Sequence, residues 1–155
     1  MSIWAAGAEM SNPILRSFEM AATRCEDLTT PVYRRLFRDH PEAEAMFRRD
    51  GGDIVRGSML AFTVDAMLDF AGERRGSFRM IECEIVSHHG YGTPPELFKA
   101  FFRIIAETVR ELIGADWSTD IADAWRMLLD QIDAVVASSL AAAQQDDPVA
   151  SRGVG

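Results

Sequence analysis

The stretch Ser77 to Phe98, SFRMIECEIVSHHGYGTPPELF, decides how this chain is read. Phe78, Ile81 and Ile85 recur at helical spacing, and His88 continues their face. The pattern predicts a helix that ends at His88 or His89, a corner broken by glycine, and a second helix started by Pro94-Pro95. An imidazole at a helix end, facing an apolar interior, is where a flat iron cofactor can be held from one side. The plain alternative is a core histidine whose ring nitrogens are satisfied by hydrogen bonds.

Toward the N-terminus, Ser11 or Asn12 can cap a helix that has Pro13 in its first turn. Ile14, Phe18, Ala21, Ala22 and Cys25 form its apolar stripe, to about Leu28. Thr30-Pro31 starts a second helix with Tyr33, Leu36 and Phe37 inward, and Pro41 opens a short third helix to Met46-Phe47. The run RRDGGD, residues 48–53, reads as a loop. The next helix is expected to face inward through Gly57, Leu60, Ala61, Val64, Leu68 and Ala71, with Arg56, Thr63 and Met67 along its edge. Small residues at 57 and 61 suggest a close helix crossing there. Residues 72–76, GERRG, make a turn.

Beyond the corner, Phe98, Phe101, Ile105, Val109 and Leu112 point inward along a helix that Gly114 stops. Ser118 caps the last helix, whose stripe is Ile121, Trp125, Leu128, Ile132, Val135 and Val136. No run alternates apolar and polar residues, so the expected fold class is all-α, about seven helices packed at steep angles around a pocket. Residues 1–10 read as a flexible lead-in with Trp4 docking on the core, residues 11–143 as the domain, and residues 144–155 as a disordered tail.

The 155 residues suit one domain, and a net charge of -8 argues against nucleic acid or an anionic membrane as partner. The two cysteines, Cys25 and Cys83, fit no zinc pattern and are expected as buried free thiols in a reducing cytoplasm. Met1 to Met10 lacks the basic start and apolar run of a signal peptide, and no stretch approaches the roughly 20 apolar residues that span a bilayer. No Ser/His/Asp arrangement, phosphate-cradling glycine loop or paired-carboxylate site stands out.

Three segments carry a resemblance: VYRRLFRDHPEAEAMF (Val32 to Phe47), HHGYGTPPELF (His88 to Phe98) and GADWSTDIADAW (Gly114 to Trp125). In this order and spacing the chain resembles bacterial single-domain globins and the globin domain of flavohaemoglobins, over about residues 11–140. The resemblance implies a globin-like fold around haem b, iron protoporphyrin IX. It makes His88 the proximal iron ligand, because the spacing to Gly92 and Pro95 matches. His89 is the alternate: family members usually carry an apolar residue four positions before the ligand, where His88 has Glu84 and His89 has Ile85.

Tyr33 matches the distal tyrosine that donates to iron-bound dioxygen; otherwise it is a core aromatic with its hydroxyl on a carbonyl. Phe47 matches the phenylalanine that wedges against the haem plane. With Gly57 at the crossing, the distal gate is Arg56, with Leu60 one turn on. A shift by one would give Val55 and Met59 but would put Arg56 at the crossing. Val64, Phe98 and Ile105 complete the expected haem lining.

Two departures weaken the enzyme reading. Phe98 stands where flavohaemoglobins carry a tyrosine, and no acid lies near Ala141, where they carry a glutamate. The expected function is reversible binding of O2, and by analogy CO and NO, for oxygen binding and transport or NO detoxification. NO dioxygenation would need an external reductase. The alternative is a globin-fold sensor or interaction module without haem. A monomer or homodimer is expected.

Overall fold

The computed structural model describes residues 12–49 and 52–145. The expected lead-in with Trp4, residues 50–51 of the expected loop, and residues 146–155 lie outside the described residues. Seven α-helices follow in order: α1 (Pro13–Arg24), α2 (Thr29–Asp39), α3 (Pro41–Arg49), α4 (Gly52–Ala71), α5 (Met80–Gly90), α6 (Pro95–Ile113) and α7 (Thr119–Gln145). Single 3-10 turns at Ser77–Arg79 and Gly114–Asp116 lead into α5 and out of α6. Among the described residues there is no strand, so the fold is all-α. No helix among them is long and apolar enough to cross a membrane.

Backbone chemistry sets the ends. The Asn12 side chain accepts the Leu15 N–H at 3.1 Å, and Pro13 lacks the donor that a first-turn residue would leave unpaired. Prolines likewise begin α3 and α6. Gly114 ends α6 with φ +53, a left-handed conformation that a Cβ would strain.

The core runs along α6 and α7. Ile105, Val109 and Ile113 of α6 and Ile121, Trp125 and Ile132 of α7 are fully buried, with Phe18 and Ala21 of α1 and Val32 of α2 against them. One polar chain crosses this interior. The Trp125 indole N–H donates to Ser17 Oγ at 3.0 Å, and that hydroxyl donates to the Ile14 carbonyl at 2.7 Å. Each donor is satisfied, so the burial carries no orphan group there. At the surface Arg24 donates to the Leu112 carbonyl at 2.9 Å and pairs with Asp116, holding α1 to the end of α6. Arg35 joins α2 to Glu107 and Glu111 of α6. Such exposed pairs each contribute about 0–1 kcal/mol.

Asp69 closes the α4–α5 connection. Its carboxylate accepts the backbone N–H groups of Arg75 at 2.7 Å, Gly76 at 3.0 Å and Phe78 at 2.9 Å. The bonds from Gly76 and Phe78 hold its carboxyl below the usual aspartate range. The start of α5 is thereby tied to the end of α4.

Four expectations need correction. Of the expected loop over residues 48–53, residues 48–49 end α3 and residues 52–53 begin α4. The inward face of α4 is Leu60, Ala66, Met67 and Phe70, while Ala61 is exposed. A Cβ at Gly57 would meet nothing within 4 Å, so no close crossing occurs there. The thiols are free but not buried: Cys83 is exposed and Cys25 half-buried. Cys83 lies off the Ile81–Ile85 face of α5, and Cys25 stands just past the last residue of α1.

Candidate functional site

A cavity of about 270 Å³ lies between five helices. Leu36 of α2 and Ala43, Met46 and Phe47 of α3 line one part. Val55, Met59, Phe62, Thr63 and Ala66 of α4 line another. Met80, Ile81, Glu84 and His88 of α5, then Thr93, Leu97, Phe98, Phe101 and Phe102, complete it. The wall is predominantly apolar. Phe62 is 64% exposed and Met80 37% exposed, so these two mark a side open to solvent.

His88 is the histidine of this wall, with a quarter of its side chain accessible; His89 is exposed and does not line the cavity. The His88 Nδ1 lies 2.7 Å from the Glu84 carbonyl oxygen. A carbonyl can only accept, so Nδ1 carries the proton and donates, and Nε2 of the neutral ring keeps its lone pair. A Glu84 carboxylate oxygen stands 3.5 Å from the same Nδ1 and favours the same tautomer. The His88 ring packs beside Phe98 at 5.4 Å between centroids.

The corner after α5 holds the ring in place. Thr93 N–H donates to the His88 carbonyl at 2.9 Å, and Gly92 N–H donates to the His89 carbonyl at 3.0 Å. Gly92 has φ +88, which a side chain would strain.

Of the residues expected from the sequence, His88, Phe47 and Phe98 come together in the wall. Tyr33, Arg56, Leu60, Val64 and Ile105 do not line it. Ile105 and Leu60 are buried in the core, and Val64 packs against it. Of the α4 residues that do line it, Val55, Met59 and Thr63 follow the register shifted by one from Arg56 and Leu60, with Phe62 and Ala66 beside them. The steric ground for the other register fails because Gly57 has open space around it.

Tyr33 is one layer behind the wall. Its ring packs at 5.1 Å from Phe47 and 5.7 Å from Phe101, both wall residues. Its hydroxyl donates to the Arg56 carbonyl at 2.8 Å, so the expected donor faces a backbone acceptor instead of the cavity. Burial pushes its phenol above the ordinary tyrosine range, and it stays protonated. The Arg56 guanidinium lies 4.9 Å over the Phe37 ring and reaches the Asp53 carboxylate at 3.3 Å.

Glu84, Thr63 and Thr93 are polar wall residues that the sequence pattern did not select. Helical spacing alone carried a signal for Glu84, which stands one turn before His88.

Among the described residues no group of three or more His, Cys, Asp or Glu is placed to hold a metal ion. A lone imidazole suits a metal that arrives in its own chelate. The apolar wall and the free Nε2 fit such a flat chelate. The volume of about 270 Å³ falls just below the roughly 300–1,000 Å³ common for ligand sites, and the cavity opens to solvent at Phe62 and Met80. Glu84 is the wall's carboxylate, and no lysine or arginine is among the described lining residues, so anionic substituents would be left to the open side.

A family model described as Globin matches residues 30–136. No curated protein and no solved structure is significantly similar to the chain.

Proposed function

The chain belongs to the globin family, and from that premise we propose that its cavity holds haem b through His88 and takes diatomic gases reversibly. The observation that supports this reading is the Nδ1 hydrogen bond to the Glu84 carbonyl at 2.7 Å. It presents an unprotonated Nε2 within an apolar wall, the form of histidine that ligates iron. Bound haem would supply a ferrous iron able to take O2, CO or NO at its free position. The residues of the chain do the rest. His88 anchors from one side, and Ile81, Leu97, Phe98 and Phe102 keep water from the proximal wall. Phe47, Val55, Met59 and Ala66 keep the remaining wall apolar. An apolar surround opposes separation of charge and so favours release of a gas in its neutral form. Redox turnover, such as conversion of NO, would require an external reductase.

The test is titration of the purified protein with haemin, followed by absorption spectra of the oxidised and reduced forms. The expected result is saturation at one haem per chain and a ferrous spectrum that shifts on addition of CO. A haem-free globin-fold module would show only the slow, unsaturable uptake of nonspecific adsorption.

A further inference from the structure

We infer that the site favours diatomic ligands that bind without a hydrogen bond, carbon monoxide above all, and that it releases dioxygen quickly. The inference rests on the reading of the cavity as a haem site. Its ground is that the hydroxyls near α4 are already committed. Tyr33 gives its one proton to the Arg56 carbonyl at 2.8 Å, from behind Phe47 and Phe101. Thr63 gives its one proton to the Met59 carbonyl at 2.6 Å. The Arg56 guanidinium does not line the cavity: it lies over the Phe37 ring and reaches Asp53, and its buried Nε, which has no partner, stays outside the wall. The other wall residues from α2, α3 and α4 have side chains without an N–H or O–H, among the described residues. Thr93 belongs to the corner that follows His88.

A dioxygen ligand carries partial negative charge on its outer atom and is retained by a donor there; carbon monoxide carries far less. For Tyr33 to serve, it would first have to give up one hydrogen bond and its packing among three phenylalanines. The exchange leaves little net gain.

The experiment uses the full chain reconstituted with haemin, with haem content measured as the pyridine haemochrome. Stopped-flow dissociation of O2 and the infrared stretching band of bound CO are then recorded. The expected band lies at the high-frequency end found for apolar surroundings. Tyr33→Phe is expected to change O2 dissociation by less than about twofold, whereas Val55→Gln, which adds an amide donor to the wall, slows it about tenfold or more. A Tyr33→Phe variant with full haem content and O2 release about tenfold faster would overturn the inference and leave the haem reading standing. A wild-type CO band at the low-frequency end would do the same without any variant. A wild-type chain that takes up no haem would overturn both.

Discussion

The Nδ1 of His88 donates to the carbonyl oxygen of Glu84, one helical turn earlier, at 2.7 Å. This bond joins the helix that carries the ring to the electronic state of the ring. A backbone acceptor cannot be removed by changing a side chain, so the tautomer of His88 is a property of α5 itself. Substitution of Glu84 by leucine is therefore compatible with a free Nε2.

Tyr33 is assigned a structural bond, and its loss should be visible as stability. Tyr33→Phe takes one donor from the Arg56 carbonyl, which keeps the helical bond from the N–H four residues on. Urea denaturation is expected to show a loss of about 0.5–1.5 kcal/mol. An unchanged midpoint would mean that the phenol has another partner in solution.

Asp69 should govern part of the acid stability. Its folded pKa lies below its ordinary value because Gly76 and Phe78 donate to the charged form. The group therefore contributes stability above its unfolded pKa of about 3.9, and that contribution is lost as pH falls through the folded value. Asp69→Asn is expected to lower the thermal midpoint at neutral pH, by an amount that shrinks as the pH falls below the ordinary aspartate value of about 3.9. Parallel curves for the two proteins across that range would contradict the assignment.

Gly92 should resist substitution. Its φ of +88 is open to glycine and strained for alanine, although a Cβ would meet nothing within 4 Å. Gly92→Ala is expected to lose roughly 1–2 kcal/mol by denaturant titration, and to weaken haem retention by loosening the corner behind His88. An alanine variant as stable as wild type would show that the corner relaxes without strain.

The helical frame was readable where covalent constraint set it. Asn12-Pro13, Pro41, Pro94-Pro95 and Gly114 restrict the backbone locally, and the helix ends lie at or beside them. The inward stripe of α7 was readable too, because Ile121, Trp125, Leu128, Ile132 and Val136 recur at helical spacing and are buried, while Val135 is only partly buried. The orientation of α4 was not. That helix is apolar on every side, with Ile54, Val55, Met59, Leu60, Phe62, Val64 and Met67 all within it, so periodicity selects no face. One face meets the core and another meets the cavity, and only the packing decides which. The Tyr33 hydroxyl was ambiguous for a similar reason: its acceptor is a carbonyl 23 residues away. The Asp69 latch spans a turn whose path depends on the same bonds that it makes.

The proposed haem site depends on His88, and not its neighbour, as the anchor. The most direct measurement is haem content after reconstitution of His88→Gly and His89→Gly, each with and without free imidazole. His88→Gly is expected to lose most of its haem and to regain it with imidazole, while His89→Gly retains one haem per chain throughout. Full haem content in His88→Gly without imidazole, or loss confined to His89→Gly, would contradict it.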